Sequence, residues 1–242
     1  MTSERQTIDA VEPMVTERFY DREPTGRQRI LILLKQQLLA ALRLTVLALF
    51  FVPFQVFGVI TLDLPLSLFD ALAPSEGLAA SRWMSRGEGV LMMLLLLTLL
   101  MTRRWSSERI GRVVVLSWVV SMAILTMLIV ELAPELSQAD FPSGRFIGVL
   151  MMSWFAGQLA ATWVYDMTRG GAWWRAPFFG AAIGFLVQAL IYFPGAFAGT
   201  SAPWPWWMAV SLLLSTLISA VFVVFYRALR WLIRPKEGLG GR

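Results

Sequence analysis

From Val113 to Val130 the chain runs for 18 residues without a charge, a proline or a glycine. A helix of that length is about 27 Å long, close to the ~30 Å hydrocarbon core of a bilayer. Hydrocarbon offers no partner to backbone N–H and C=O groups, so a run of this kind has to close its hydrogen bonds within itself. The rest of the chain repeats the pattern. Apolar runs cover Leu44–Leu62, Gly89–Thr102, Phe146–Tyr165, Ala176–Ala198 and Trp204–Tyr226, and charged or turn residues lie between them. With 57% of residues hydrophobic and 15% charged, the chain falls outside the balance of a water-soluble domain. The expected fold is all-α, an integral membrane bundle of six helices.

The domain plan follows the same punctuation. Residues 1–26 read as a flexible tail ending at Pro24-Thr25-Gly26, residues 27–234 as one six-helix transmembrane domain, and residues 235–242 as a second tail. The first span contains Pro53, which predicts a kink, followed by Gln55 and Gly58. The longest loop, Asp63 to Glu88, carries acids at Asp63, Asp70, Glu76 and Glu88, and its LPLSLFDAL segment reads as a short interfacial helix. The run after it, Gly89–Thr102, is short for a span; it either extends back toward Trp83, tilts, or is shielded by neighbours. The third span is stopped by Glu131, Pro134 and Glu135.

Orientation follows from the basic residues. Of 21 Lys and Arg, 18 fall in the N-terminal segment, the turns after spans two and four, and the C-terminal segment; Arg82, Arg86 and Arg145 alone fall on the other side. The positive-inside rule puts both termini in the cytoplasm, and an even number of spans satisfies it. The expected setting is therefore a bacterial-type cytoplasmic (inner) membrane, crossed several times. The same distribution accounts for the net charge of +5 without nucleic acid as a partner.

Chemistry is bounded by what the sequence lacks. It contains no Cys and no His, and no GxxxxGK[ST], HExxH or GxSxG motif, so no catalytic residue, metal site or cofactor is expected and the chain does not read as an enzyme. Polar residues within the spans are the remaining candidates. Gln158 and Gln188 lie near the centres of spans four and five, where an amide has to find partners and is suited to the edge of a heterocycle. Ser153 on span four reads by itself as a helix-packing residue. Gly180 and Gly184 form a GxxxG pair, and Ser211, Ser215 and Ser219 recur every four residues; both patterns read as close helix packing.

From Arg145 to about Lys236 the chain resembles the vitamin-uptake-transporter-like (VUT) family, which includes queuosine-precursor transporters. The resemblance is carried by Gly157-Gln158, Trp173-Trp174, Ala176-Pro177, Gly184 and Leu217-Ile218-Ser219 leading to Arg227 and Arg230, with Thr98 and Arg103 earlier. It implies six helices, cytoplasmic termini and a permease for a small organic molecule, heterocyclic or otherwise, with Gln158, Gln188, Ser153 and Thr98 as the candidate substrate-binding residues. Ala161, Leu99, Gln188 and Phe185 stand where the family pattern has polar or acidic residues, which implies an altered specificity. The alternative reading is a non-transporting membrane subunit or assembly factor, with a membrane-protein partner.

Overall fold

The computed structural model describes residues 26–72, 79, 81, 84–132, 144–231 and 233. Both tails, and also Glu76, Arg82, Trp83, Pro134 and Glu135, lie outside them, apart from Gly26 at the tail boundary. Among the described residues the chain is helical, with α1 Gly26–Ile60, α2 Arg86–Arg104, α3 Ser107–Leu132, α4 Gly144–Thr168, α5 Arg175–Phe197 and α6 Trp204–Leu229. All of these except α2 are long and apolar enough to cross a membrane, the make-up of a multi-pass membrane protein. A 3₁₀ helix at Ser67–Leu72 takes up the LPLSLFDAL segment.

By contacts the chain divides within α1, between Ala41 and Leu42. In the first unit every described side chain from Ile30 to Ala41 is exposed. The second unit holds the remainder of α1 and all other elements. Pro53 lies inside a continuous α1, which runs for 35 residues, about 50 Å at the usual helical rise.

In the second unit α2 is the core. Between Gly87 and Arg103 Met93 alone is exposed, while Leu91, Leu94, Leu95 and Leu99 are essentially inaccessible. Neighbouring helices α3, α4 and α5 pack around it. A helix with so little lipid-facing surface has no need to match the bilayer thickness, which explains an apolar run of only Gly89–Thr102. It starts with a capping box: the Glu88 N–H donates to Ser85 Oγ (3.1 Å) and the Ser85 N–H donates to Glu88 Oε2 (3.2 Å).

The most extensive helix pair is α4 with α5. Small residues let the two backbones approach. A Cβ on Gly157 would stand 2.7 Å from the Gly184 carbonyl oxygen, and one on Gly184 would stand 2.8 Å from Ala161 Cβ and 3.0 Å from the Gly157 carbonyl oxygen. Gly180 sits one turn away against Leu99, Ala161 and Tyr165. On α6, Ser211, Ser215 and Ser219 are all buried, and Ser219 Oγ donates to the Ser215 carbonyl.

Candidate functional site

Buried polar groups occur at three levels of the second unit. At mid-bundle, Gln55 of α1 is fully buried against Ser117 and Ser121 of α3. Its amide lies 3.0 Å from Ser117 Oγ and 2.7 Å from Ser121 Oγ. The amide orientation that satisfies both ends turns its oxygen to Ser117 Oγ and to Trp118 Nε1 (3.1 Å), and its nitrogen to Ser121 Oγ and the Ser117 carbonyl. Trp118 Nε1 also donates to Gln158 Oε1 at 2.9 Å, so one indole N–H links two amides from α1 and α4. Gln158 Nε2 and the neighbouring Trp154 Nε1 are buried donors with no partner among the described residues.

The four candidate residues from the sequence are all buried. Thr98 Oγ1 donates to the Leu94 carbonyl and Ser153 Oγ to the Leu150 carbonyl, each closing a bond within its own helix. Gln188 packs with its Cβ and backbone N against Gly157, the residue before Gln158. Gln158 is the one of the four with a side-chain partner on another helix, Trp118. Trp118→Phe is expected to destabilise the protein by about 1 kcal/mol more with Gln158 present than in a Gln158→Leu background, within the range of interhelical hydrogen bonds in membranes. Thermal unfolding of the two single variants and the double variant measures this coupling.

At the end of the bundle formed by the α1–α2 connection, the start of α4 and the end of α5, a cavity of about 230 Å³ opens beside the α2 cap. Glu88 and Tyr192 form its floor, Phe146 and Phe197 its walls, and Asp63 and Ser81 its rim. Glu88 is only 6% exposed and stands just before the apolar run of α2, outside the five spans. The Ser85 N–H donates to its Oε2 (3.2 Å), and the Tyr192 hydroxyl stands beside the carboxyl. The rings of Phe146, Tyr192 and Phe197 stand in mutual edge-to-face contact, with centroids 5.9, 6.2 and 5.7 Å apart. Among the described residues no basic side chain lines the cavity. Arg145, next to Phe146, donates instead to the Gly195 and Ala198 carbonyls at the end of α5.

The sequence places Glu88 at the end of the long acidic loop, whereas the structure puts it on the first turn of α2. The signal that could have found it is Ser85-Arg86-Gly87-Glu88 immediately before an apolar run, which is the capping-box pattern. That pattern places the acid on the first turn of a helix, although its burial depends on Tyr192, 104 positions further along.

At the opposite end Arg103 is buried, 8% exposed. Its Nε donates to the Ile233 carbonyl (2.8 Å), one terminal nitrogen to the Tyr226 hydroxyl (3.0 Å) and the other to the Arg230 carbonyl (3.4 Å). Tyr226 meets Tyr165 hydroxyl to hydroxyl at 2.5 Å. Beside this cluster Asp166 pairs with Arg169 (2.8 Å) and accepts from the Ser107 N–H that opens α3 (2.7 Å). Trp173 lies under both Arg227 and Arg230, with guanidinium carbons 5.6 and 5.8 Å from the ring centroid. Among the described residues no group of His, Cys, Asp or Glu is placed to hold a metal ion. No family model, no curated protein and no solved structure matches the chain.

Proposed function

We propose that the protein is a permease for a small organic molecule, of the kind implied by the resemblance to VUT proteins, and that the cavity at Glu88 and Tyr192 is the outer mouth of its path. In this reading α2 is the sixth span, both termini are cytoplasmic and the membrane is a bacterial cytoplasmic one. The observation that carries it is a carboxyl buried at the floor of a cavity in a membrane bundle. Such a group is costly to hold in an apolar setting, and intramembrane ionisable residues mark substrate and ion paths more often than they mark packing. The amide link Gln55–Trp118–Gln158 lies deeper in the same bundle and gives the path a second polar station.

Comparison of small molecules retained by cells expressing the wild-type chain, Glu88→Gln and an empty vector tests the reading. Gln at position 88 preserves the cap, because a capping box accepts Glu or Gln at that place. At least one compound is expected to accumulate with the wild type and to fall about tenfold with Glu88→Gln. Identical profiles in all three cell lines would overturn transport.

A second reading, a non-transporting subunit, is favoured by the run of exposed apolar side chains from Ile30 to Leu42. A partner chain retained through purification in mild detergent supports it, and a protein that always purifies alone excludes it.

A further inference from the structure

We infer that the Glu88 cavity binds a small organic cation, with an ammonium group against the Glu88 carboxylate and its carbon substituents against Phe146, Tyr192 and Phe197. The inference deepens the permease reading, since it names the substrate class of the mouth assigned there.

Three features of the cavity converge on that chemistry. The first is charge. Two carboxyls line it, Glu88 on the floor and Asp63 on the exposed rim, and among the described residues no Lys or Arg lines the space. The flanking arginines do not fill the role of counter-ion: Arg145 is tied to the carbonyls at the end of α5, and Arg86 is exposed on the first turn of α2. An anion placed here would face two carboxyls with no cation among the described lining residues to offset them.

The second feature is the aromatic wall. Three rings within 5.7–6.2 Å of one another line the same space as the carboxyl. The faces and hydroxyl of such rings attract a cation that has shed water, and a cage of rings with a carboxylate suits alkylated ammonium groups better than a hydrated metal ion. Hard cations such as Mg²⁺ or Ca²⁺ take several oxygen ligands, and the described lining supplies too few around one point.

The third feature is size. A cavity of 150 Å³ holds benzene, so 230 Å³ accommodates roughly nine non-hydrogen atoms. Choline and tetramethylammonium are within that limit, while a peptide or a nucleotide exceeds it. The Ser85 N–H donates to Glu88 Oε2 (3.2 Å) and holds the carboxyl in place at the cavity floor. An ammonium group is the complement that the arrangement lacks.

Equilibrium binding of radiolabelled choline to the full chain in lipid nanodiscs tests the inference. Tetramethylammonium and 3,3-dimethylbutan-1-ol, the uncharged carbon analogue of choline, serve as competitors. Saturable choline binding is expected, displaced by tetramethylammonium and about tenfold less well by the neutral analogue. Glu88→Gln is expected to weaken binding about tenfold, and Phe197→Leu several-fold. Should either variant fail to give monodisperse protein, Asp63→Asn at the exposed rim remains informative, with a two- to threefold weakening expected from loss of a screened charge.

Absence of saturable binding by both cations, equal competition by the neutral analogue, or unchanged affinity in Glu88→Gln would overturn the cation assignment. The outcomes separate from those for transport. Cellular accumulation of a neutral or acidic compound sinks the cation and leaves the permease standing. Choline binding without any accumulation in cells does the reverse.

Discussion

Gly87→Ala is expected to destabilise the protein by about 3 kcal/mol, on the order of 10 °C in melting temperature for a chain of this length. A methyl group at position 87 would run into the carbonyl oxygen of Gly58, with the Gly58 carbonyl carbon at 3.0 Å and the Leu62 backbone N at 3.2 Å. All three are backbone atoms, so no side chain can rotate away. The α1–α2 connection is also fixed on both sides, since the Arg86 N–H donates to the Leu64 carbonyl (2.8 Å) and the Gly87 N–H to the Thr61 carbonyl (3.3 Å). Relief requires α1 and α2 to separate, which opens the cap that holds Glu88. Gly89→Ala is the control, because the nearest atom to its new methyl is Leu66 Cδ2 at 3.9 Å. It is expected to be neutral or stabilising by up to about 1 kcal/mol, as replacing glycine in a helix usually is. Fluorescence-detected size-exclusion after heating distinguishes the two. A Gly87→Ala protein as heat-resistant as the Gly89→Ala protein would mean that the close approach of the two backbones does not constrain the fold.

Much of the helical architecture is legible in the sequence because the bilayer leaves few choices. Val113–Val130 has to be a helix if it lies in hydrocarbon, and it falls within α3; the runs read at 146–165, 176–198 and 204–226 likewise match α4, α5 and α6 to within a few residues. Hydropathy reports length and composition but not which helix is central. Gly89–Thr102 looks deficient as a span, and its shortness has a tertiary cause, enclosure by α3, α4 and α5. Pro53 shows the opposite limit. It removes one backbone donor, yet α1 continues as a helix through that position, since the helix on either side is held by the packing of Phe51, Val52 and Gln55.

The site was less legible, since its polar partners are far apart in sequence. Gln55 pairs with Ser117 and Ser121, more than 60 residues later, and nothing in the local pattern links them. Gln158 draws attention as an amide at membrane depth, but its partner is Trp118, a residue that composition assigns to apolar packing. Thr98 and Ser153 are polar by type, although their hydroxyls are spent on their own helices' carbonyls. Glu88 shows the clearest gap. Its place at the end of an acidic loop reads it as a loop residue, whereas a cap at Ser85 and a tyrosine from α5 enclose it. Periodicity identifies which residues face a neighbour, and only the packed bundle identifies which neighbour.

Arg103→Met should cost about 3 kcal/mol, with the loss concentrated at the end of α6. The last carbonyls of any helix lack partners within it, and a cation placed there both donates to them and complements the helix dipole. Arg103 does this from another helix, reaching the Arg230 and Ile233 carbonyls while its guanidinium carbon lies 5.6 Å from the centre of the Tyr226 ring. Methionine fills similar apolar volume and offers no donor, leaving two carbonyls and the Tyr226 hydroxyl short of one bond each, at about 1–3 kcal/mol for a buried charged interaction. Tyr226 keeps its contact with Tyr165, so Tyr226→Phe should cost only about 1 kcal/mol. Arg103→Lys, with a point charge in place of a planar fork, should fall between the two. Amide exchange over residues 226–233 locates the effect. It is expected to rise at least tenfold in Arg103→Met while exchange near Glu88, at the other end of α2, stays as in the wild type. Equal acceleration at both ends would show that Arg103 supports the bundle as a whole and does not act as the anchor of α6.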